Sequence, residues 1–170
     1  SNHLKQIHKE IKKKLSALEK DIYQLSGKTF NINSPKQVAE ILFETIGIAS
    51  KGIRKTSSGQ ISTRSSELEK IQSENSIAQK ILEYRELAKL QTTYIEALPS
   101  FVGMDGKIHG TFQQYGAATG RLSSHEPNLQ NIPSKTAYGQ EIRKAFLPEK
   151  GKVFLSFDYS QIELRIVASL

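Results

Sequence analysis

The sequence lacks cysteine, and it also lacks any long apolar run. The absence of cysteine from its 170 residues excludes disulfide bonds and thiolate metal sites, and it fits a reducing cytoplasm. The apolar runs are only a few residues long, far short of the ~20 residues that a membrane-spanning helix needs. No secretory signal pattern is visible. A predicted helix runs up to Leu170, and we therefore expect the chain to be truncated.

Positive charge is concentrated in the first part of the chain. Residues 1–64 contain twelve Lys or Arg against five Asp or Glu, whereas residues 65–170 contain twelve of each. The net charge of +7 therefore lies entirely in the first part. A basic half beside a neutral half favours a polyanionic partner, and a solvated lysine face explains it about as well.

The first predicted helix has an apolar stripe and ends at Gly27. The stripe recurs at spacings of three and four: Leu4, Ile7, Ile11, Leu15, Leu18, Ile22 and Leu25. The other face is rich in lysine, which favours solubility over phosphate binding. A second helix is predicted to begin with Ser34 as its cap, Pro35 at the first helical position and Gln37 completing a capping box.

The second helix has two further predicted features. Its buried face should hold Val38, Ile41, Leu42 and Ile46, and Gly47 should end it. Lys36 lies at the exposed helix N-terminus, which suits a DNA phosphate, although a plain cap explains the same residues.

Residues 50–66, called the basic loop below, are polar and rich in Gly and Ser, so we expect a loop that is mobile when alone. Its cations alternate with hydroxyl groups, which favours contact with a nucleic-acid backbone over a neutral linker: Lys51, Arg54, Lys55 and Arg64. A short helix near 66–72 and a longer one at about 76–97 follow. Residues 107–115 are predicted to begin a β-hairpin.

The segment 153–165 places one carboxylate where an apolar strand gives way to a helix. Phe154, Leu155 and Phe157 are typical of a buried strand, so Asp158 would lie at the rim of a sheet. Ser160 and Glu163 match a capping box for the next helix. An Asp at such a turn is also common in turns that hold no metal, so the residue alone leaves both interpretations open.

The complete string Asp-Tyr-Ser-Gln-Ile-Glu-Leu-Arg at 158–165 resembles the first catalytic motif of the family A DNA polymerases, of the bacterial DNA polymerase I type. Residues 118–133, Ala-Thr-Gly-Arg-Leu-Ser-Ser-His-Glu-Pro-Asn-Leu-Gln-Asn-Ile-Pro, are similar to the family's segment at the minor groove near the primer end. Residues 84–94 and 139–146 resemble the flanking segments of the same family. The resemblance covers nearly the entire chain.

The resemblance implies a nucleotide site around the carboxylate. Asp158 would bridge two Mg²⁺ ions, and the backbone carbonyl of Tyr159 would bind the nucleotide-bound ion. Gln161 and Ile162 would line the same turn. Glu163 would crowd the 2′ carbon of the incoming sugar and thereby reject ribonucleotides.

The resemblance also implies contacts with primer-template DNA. Arg121 would lie in the minor groove at the primer terminus, where every base pair presents an acceptor. Lys89 and Tyr94 match positions near the DNA backbone, although by themselves they are typical of a surface lysine and a core tyrosine. Three amides suit the same sequence-independent task, or else a turn held by side-chain hydrogen bonds: Asn128, Gln130 and Asn131.

The implied fold is mostly α-helical and incomplete. Residues 3–98 would form a helical thumb with the basic loop at its tip, and residues 99–170 the first part of an α+β palm, consisting of a β-hairpin, the catalytic strand and a helix. The fingers helix and the second carboxylate motif of the family are missing from the sequence. We therefore expect the chain alone to bind primer-template DNA, to bind Mg²⁺ weakly and to be inactive.

The resemblance implies that the parent enzyme is a monomer in the bacterial cytoplasm, at the nucleoid, that uses deoxynucleoside triphosphates and no membrane. Two other interpretations remain at this stage. One is a duplex-binding module without chemistry. The other is a helical protein that uses the stripe between Leu4 and Leu25 as a coiled-coil face, although about three heptads are marginal for a zipper.

Overall fold

The first helix follows its apolar stripe. The structure is a computed structural model that describes residues 2–134 and 136–170, in which helix α1 spans Asn2–Ser26. Gly27 ends α1 with φ at 68°, a left-handed conformation that glycine adopts at little cost. The stripe is buried at Ile7, Ile11, Leu18 and Ile22, while Leu25 is 47% exposed.

Helix α2, Pro35–Ala39, begins where the sequence predicts. The Ser34 hydroxyl accepts a hydrogen bond from the backbone N–H of Gln37 at 3.4 Å. The return half of the capping box differs, because the Gln37 side chain accepts from the N–H of Asn31 at 2.6 Å rather than from that of Ser34. The cap therefore also closes the turn that precedes it.

A π-helical turn, Glu40–Thr45, continues α2 and changes its buried face. The predicted face is buried at Val38, Ile41 and Leu42, but Ile46 is 40% exposed, so that part of the prediction was wrong. A π turn places more residues in each turn than an α-helix, which rotates the residues that follow away from the helical stripe. Gly47, with φ at 79°, ends the element as predicted.

The next helices are α3, Ser65–Leu68, and α4, Ser76–Leu90. The short helix predicted near 66–72 is confirmed only in its first turn. A π turn at Gln91–Glu96 and a 3₁₀ turn at Leu98–Phe101 extend α4. The long predicted helix is thus present, and its end carries Pro99, as expected from the missing N–H of proline.

The core consists of two apolar clusters, and each contains residues of α1. The first contains Ile7, Ile11 and Leu18 with the later part of α4, its extensions and Ile142. The second contains Ile22 with α2, its π turn, Leu68 and the beginning of α4. Because the α1 stripe is buried within the chain, the coiled-coil interpretation was wrong.

The rest of the fold is short and local. Strands β1, Thr111–Gln113, and β2, Ser123–His125, form an antiparallel pair with Phe112 opposite Ser124. A 3₁₀ turn at Leu129–Asn131 and helix α5, Ala137–Arg143, follow. The mostly helical fold with a small antiparallel sheet confirms the predicted class. None of the helices in residues 2–134 and 136–170 combines the length and apolarity that crossing a bilayer requires.

The predicted catalytic strand is not formed. Residues 153–157 have no regular secondary structure, and Phe157 is 90% exposed. A strand forms when its N–H and C=O groups pair with neighbouring strands, and the described residues provide no such partner here. Helix α6, Ile162–Ser169, does follow, and its residues are exposed.

The two-cluster core predicts how much stability is lost when a buried side chain of α1 is shortened. Replacing Ile22, which is fully buried, with Ala should lower the free energy of unfolding by about 2–5 kcal/mol, because apolar burial is lost and a cavity remains. Urea denaturation followed by circular dichroism measures this. Leu25→Ala, one turn further along the helix at an exposed position, should cost less than about 1 kcal/mol. Equal losses in the two variants would contradict the core described here.

Candidate functional site

The segment around Asp158 is exposed and lacks its predicted cap. Gln161 occupies the N-cap position of α6 with φ at 56°, and no side chain among the described residues caps the helix. The predicted capping box of Ser160 and Glu163 was therefore wrong. The carbonyl of Ser160 instead accepts a hydrogen bond from Arg165 Nε at 2.9 Å. Helix α6 begins at Ile162, so Gln161 rather than Ser160 lies at the N-cap position.

Two predicted site residues lie together at this turn. Arg121 Nη2 donates to Glu163 Oε1 at 2.8 Å, across 42 residues of sequence. The two side chains are 74% and 69% exposed, so solvent screens the pair and it contributes little to stability. The contact brings the segment predicted for the minor groove beside the segment predicted for the nucleotide sugar.

The described donor set does not fit the expected pair of Mg²⁺ ions. Within residues 2–134 and 136–170, no three His, Cys, Asp or Glu side chains come close enough to hold a metal ion. Asp158 is exposed, and Glu163 is engaged by Arg121. A two-ion site needs several hard oxygen ligands on a firm scaffold, and here Asp158 follows an irregular segment.

The three predicted amides lie in a turn held by side-chain hydrogen bonds. Asn128 Oδ1 accepts from the N–H of Gln130 at 3.1 Å, and Gln130 Nε2 donates to the carbonyl of Leu122 at 3.0 Å. Ser124, which the sequence did not single out, is buried and joins the turn by accepting from the N–H of Leu129 at 3.2 Å. The side chains of all three predicted amides remain exposed: Asn128, Gln130 and Asn131.

Tyr94 links this turn to the helical part. Its ring is buried in the first core cluster, and its hydroxyl donates to the carbonyl of Asn131. Burial raises the pKa of the Tyr94 phenol. Tyr94 is thus the core tyrosine that its own spacing indicates, and it positions the amide turn relative to α4. Lys89, in the last turn of α4, is exposed.

The basic loop is folded back on itself. The N–H of Thr56 donates to the carbonyl of Gln60 at 2.7 Å, and the N–H of Ser62 donates to the carbonyl of Arg54 at 2.9 Å. Lys55 pairs with Ile61 across this small antiparallel turn. The loop therefore has two limbs, one before and one after Thr56–Gln60.

A buried carboxylate holds the first limb. Glu67 is 2% exposed, and its Oε2 accepts from Lys70 Nζ at 2.6 Å and from the N–H of Arg54 at 3.0 Å, while its Oε1 accepts from Arg54 Nε at 2.8 Å. Lys70 Nζ also donates to the carbonyl of Gly52 at 3.0 Å. These bonds, first that from Lys70 and then those from Arg54, lower the pKa of Glu67 to about 2 against the opposing effect of burial. Sequence patterns missed this residue.

A partly buried arginine holds the second limb. Arg85 on α4 donates through Nη1 to the carbonyl of Thr63 at 2.6 Å and through Nε to the carbonyl of Ile32 at 3.0 Å. The Thr63 hydroxyl donates to the carbonyl of Pro35 at 3.3 Å. The second limb is therefore fastened to α4 and to the beginning of α2.

The predicted backbone-binding cations remain exposed around these anchors. Lys36 and Lys55 line one cavity of about 490 Å³, which two carboxylates, Glu40 and Glu44, also line. The Arg54 side chain is 78% exposed although Glu67 binds its Nε. Lys51 and Arg64 are exposed as well.

The comparisons with known proteins identify the family. The sequence profile of DNA polymerase family A matches residues 1–170. The chain belongs to this family. It is 46% identical over 170 residues to a DNA polymerase I of Synechocystis, 43% identical over 169 residues to the thermostable DNA polymerase I of Thermus aquaticus, and 47% identical over 169 residues to a DNA polymerase I of Lactococcus lactis. Each match covers 99% of this chain.

The match covers only part of the length of these family A polymerases. The chain spans 17%, 20% and 19% of the three relatives, respectively. A solved structure, the POL domain of Pol1 from M. smegmatis in complex with DNA primer-template and dNTP, matches with a TM-score of 0.87 and 37% identity, over 98% of this chain and 29% of that chain. The recognised resemblance and the helical fold are therefore both confirmed.

The Glu67 pKa predicts a pH dependence of stability. A carboxylate whose pKa falls on folding contributes stability that is fully present above the unfolded value of 4.5 and is lost as pH falls through about 2. The difference in unfolding free energy between the parent chain and Glu67→Gln should be largest near pH 7 and should shrink below pH 4.5. Urea denaturation at several pH values measures this difference. Glu69→Gln, an exposed neighbour, should show a much smaller change over this range, and a pH-independent difference for Glu67→Gln would contradict the prediction.

Proposed function

We propose that this chain is the thumb and the first part of the palm of a template-directed DNA polymerase of the DNA polymerase I type. The observation that carries the proposal is the extent of the match to a polymerase domain solved with primer-template and dNTP, which includes 98% of this chain. The parent enzyme adds deoxynucleotides to a primer 3′ end in replication and repair. It acts as a monomer in the bacterial cytoplasm, at the nucleoid.

The proposal divides the elements of the chain between thumb and palm. Residues 3–98 contain α1 to α4 and the basic loop, and the proposal assigns them to the thumb. Residues 99–170 contain the small sheet, α5, the Asp158 segment and α6, and the proposal assigns them to the palm. Helix α5 packs against α1 through Ile142, so the two parts share one apolar cluster.

The DNA-binding role rests on exposed hydrogen-bond donors and cationic side chains. Arg121 has the planar donor fork that suits acceptors in the minor groove at the primer end, and the exposed amides of the neighbouring turn suit the same task. Sequence-independent backbone binding is assigned to exposed cations of the helical part: Lys36, Lys51, Arg54, Lys55 and Lys89. Tyr94 serves this interface by fixing the position of the amide turn.

The chemical role is assigned to the turn after residue 157. Asp158 is the proposed ligand of the two Mg²⁺ ions, with the Tyr159 carbonyl as a further ligand. Gln161, Ile162 and Glu163 are the proposed wall against the nucleotide sugar. Glu163 is held by Arg121 in this structure, so the proposed assembly with DNA and nucleotide requires that exposed pair to separate.

The isolated chain lacks what this chemistry requires. Phosphoryl transfer with two divalent ions needs several metal-ligating side chains together, and no three His, Cys, Asp or Glu side chains of the described residues form such a group. The apolar residues 153–157 are exposed and need neighbouring strands. The proposal therefore assigns DNA binding to this chain and catalysis to a longer polymerase that contains it.

Binding to a fluorescent primer-template duplex across a salt series tests the DNA-binding role. We expect binding that weakens as salt rises, because basic side chains release counterions from phosphates. Arg121→Ala should weaken binding to duplexes of every sequence, by about threefold to tenfold. Arg143→Ala, which removes the same charge from an exposed position on α5, is the matched control and should have a smaller effect.

Absence of binding at low salt would contradict the DNA-binding role of the isolated chain. Binding that Arg121→Ala leaves unchanged would contradict the minor-groove assignment and would leave the cations of residues 3–98 as the binding surface.

Primer extension tests the assignment of catalysis. The purified 170-residue chain, supplied with Mg²⁺, primer-template and all four dNTPs, should give no extension product above background, because its described residues form no group of three metal-ligating side chains. A family A polymerase added to the same mixture is the positive control. Extension by the chain alone that Asp158→Asn abolishes would overturn this assignment.

A further inference from the structure

The basic loop contains few apolar side chains that could pack against the core and order it. Among residues 50–66, most side chains are polar, and those of Lys51, Lys55 and Arg64 are exposed. A loop of this composition buries too little apolar surface to offset the entropy of ordering it. Its shape must therefore come from polar anchors.

Glu67 is the anchor of the first limb. It is the most buried charged side chain of the described residues, and the bonds it accepts reach Arg54 through both the backbone and the side chain. Through Lys70 it also fixes the carbonyl of Gly52. The positions held, 52 and 54, lie between the exposed cations at 51 and 55, so the carboxylate fixes the backbone from which those cations project.

We propose that Glu67 is a positioning residue for DNA binding, which presets the first limb of the basic loop so that Lys51 and Lys55 meet a phosphate backbone. This inference rests on the proposed function, since it presumes that the basic loop binds DNA. Glu67 itself is buried and does not touch DNA. It acts by removing the ordering cost that a free loop would incur on binding.

The proposal predicts an effect opposite in sign to that of charge alone. Removing a carboxylate from a cationic surface strengthens its attraction for DNA when only the long-range field matters. Loss of the anchor instead weakens binding, because Lys51 and Lys55 lose their fixed positions. Glu67→Gln therefore separates the two effects by the direction of the change.

Three variants of the 170-residue chain make the test. Glu67→Gln removes the charge, and Glu67→Asp keeps the charge but withdraws the carboxylate by one methylene group. Glu69→Gln is the matched control, because Glu69 lies two residues away, is exposed and has no ion pair among the described residues. Binding to a fluorescent primer-template duplex is measured across a salt series, with urea denaturation confirming that each variant is folded.

We expect Glu67→Gln and Glu67→Asp to weaken binding by about threefold to tenfold and to reduce the salt slope by about one for each phosphate that a displaced lysine no longer neutralises. Glu69→Gln should bind as well as the parent chain or slightly better. If Glu67→Gln binds as tightly as the parent or tighter, in step with Glu69→Gln, the positioning role is overturned. If the parent chain itself fails to bind at low salt, the DNA-binding role fails instead, so the two failures are distinguishable.

A double-variant comparison separates positioning from general destabilisation. In the parent chain, Lys55→Ala should weaken binding, whereas in the Glu67→Gln background it should have little further effect, because Lys55 is already misplaced. Hydrogen exchange gives a local readout, since the Arg54 amide donates directly to Glu67 and should exchange faster in Glu67→Gln. Independent effects of the two substitutions on binding, with unchanged exchange at Arg54, would overturn the proposal.

Discussion

The packing of α1 along α4 is the constraint on which the other elements depend. The apolar stripe of α1 runs through both core clusters, and α4 with its extension supplies the facing residues. Tyr84 packs against both clusters and joins them. Because α1 and α4 leave apolar side chains uncovered at both ends of their contact, α2 and α5 dock there and bury them. Helix α2 docks at one end, and α5 docks near the other through Ile142.

Polar anchors extend this framework to segments that have no core of their own. The side chain of Arg85 extends from α4 and bonds to the second limb of the basic loop, whereas Glu67 bonds to the first limb. The side chain of Tyr94 extends from the π turn after α4 and bonds to the amide turn. Each anchor is buried or partly buried, and each bonds to backbone atoms. Backbone bonds fix the path of the chain and leave side chains such as those of Lys51 and Lys55 exposed. A rigid helix pair thereby presents exposed donors of the kind that sequence-independent DNA binding uses.

The sequence predicted the features that depend on neighbours along the chain. Helix periodicity located α1 and α4, and local chemistry located the Ser34 cap and the end of α1 at Gly27. The predictions failed where the local structure depends on contacts with residues distant in the sequence. Residues 153–157 have the composition of a strand, but no described strand lies beside them. Ile46 is exposed because the π turn before it changes the helical register. Glu67 was missed because its bonds to Arg54 span thirteen residues and follow no helical or strand period.

The contrast between Glu67 and Asp158 shows how the surroundings of a carboxylate set its use. Glu67 is surrounded by donors that compensate for its desolvation, so it stays ionised, held and inaccessible, which suits a residue that positions others. Asp158 is exposed and follows an irregular apolar segment, so nothing in the described residues fixes its oxygens. Metal ligation demands oxygen positions held within a few tenths of an ångström, and a strand gains such precision only from the sheet that contains it. In the proposed enzyme, the sheet that would bury residues 153–157 is therefore what would turn Asp158 from a solvated side chain into a metal ligand.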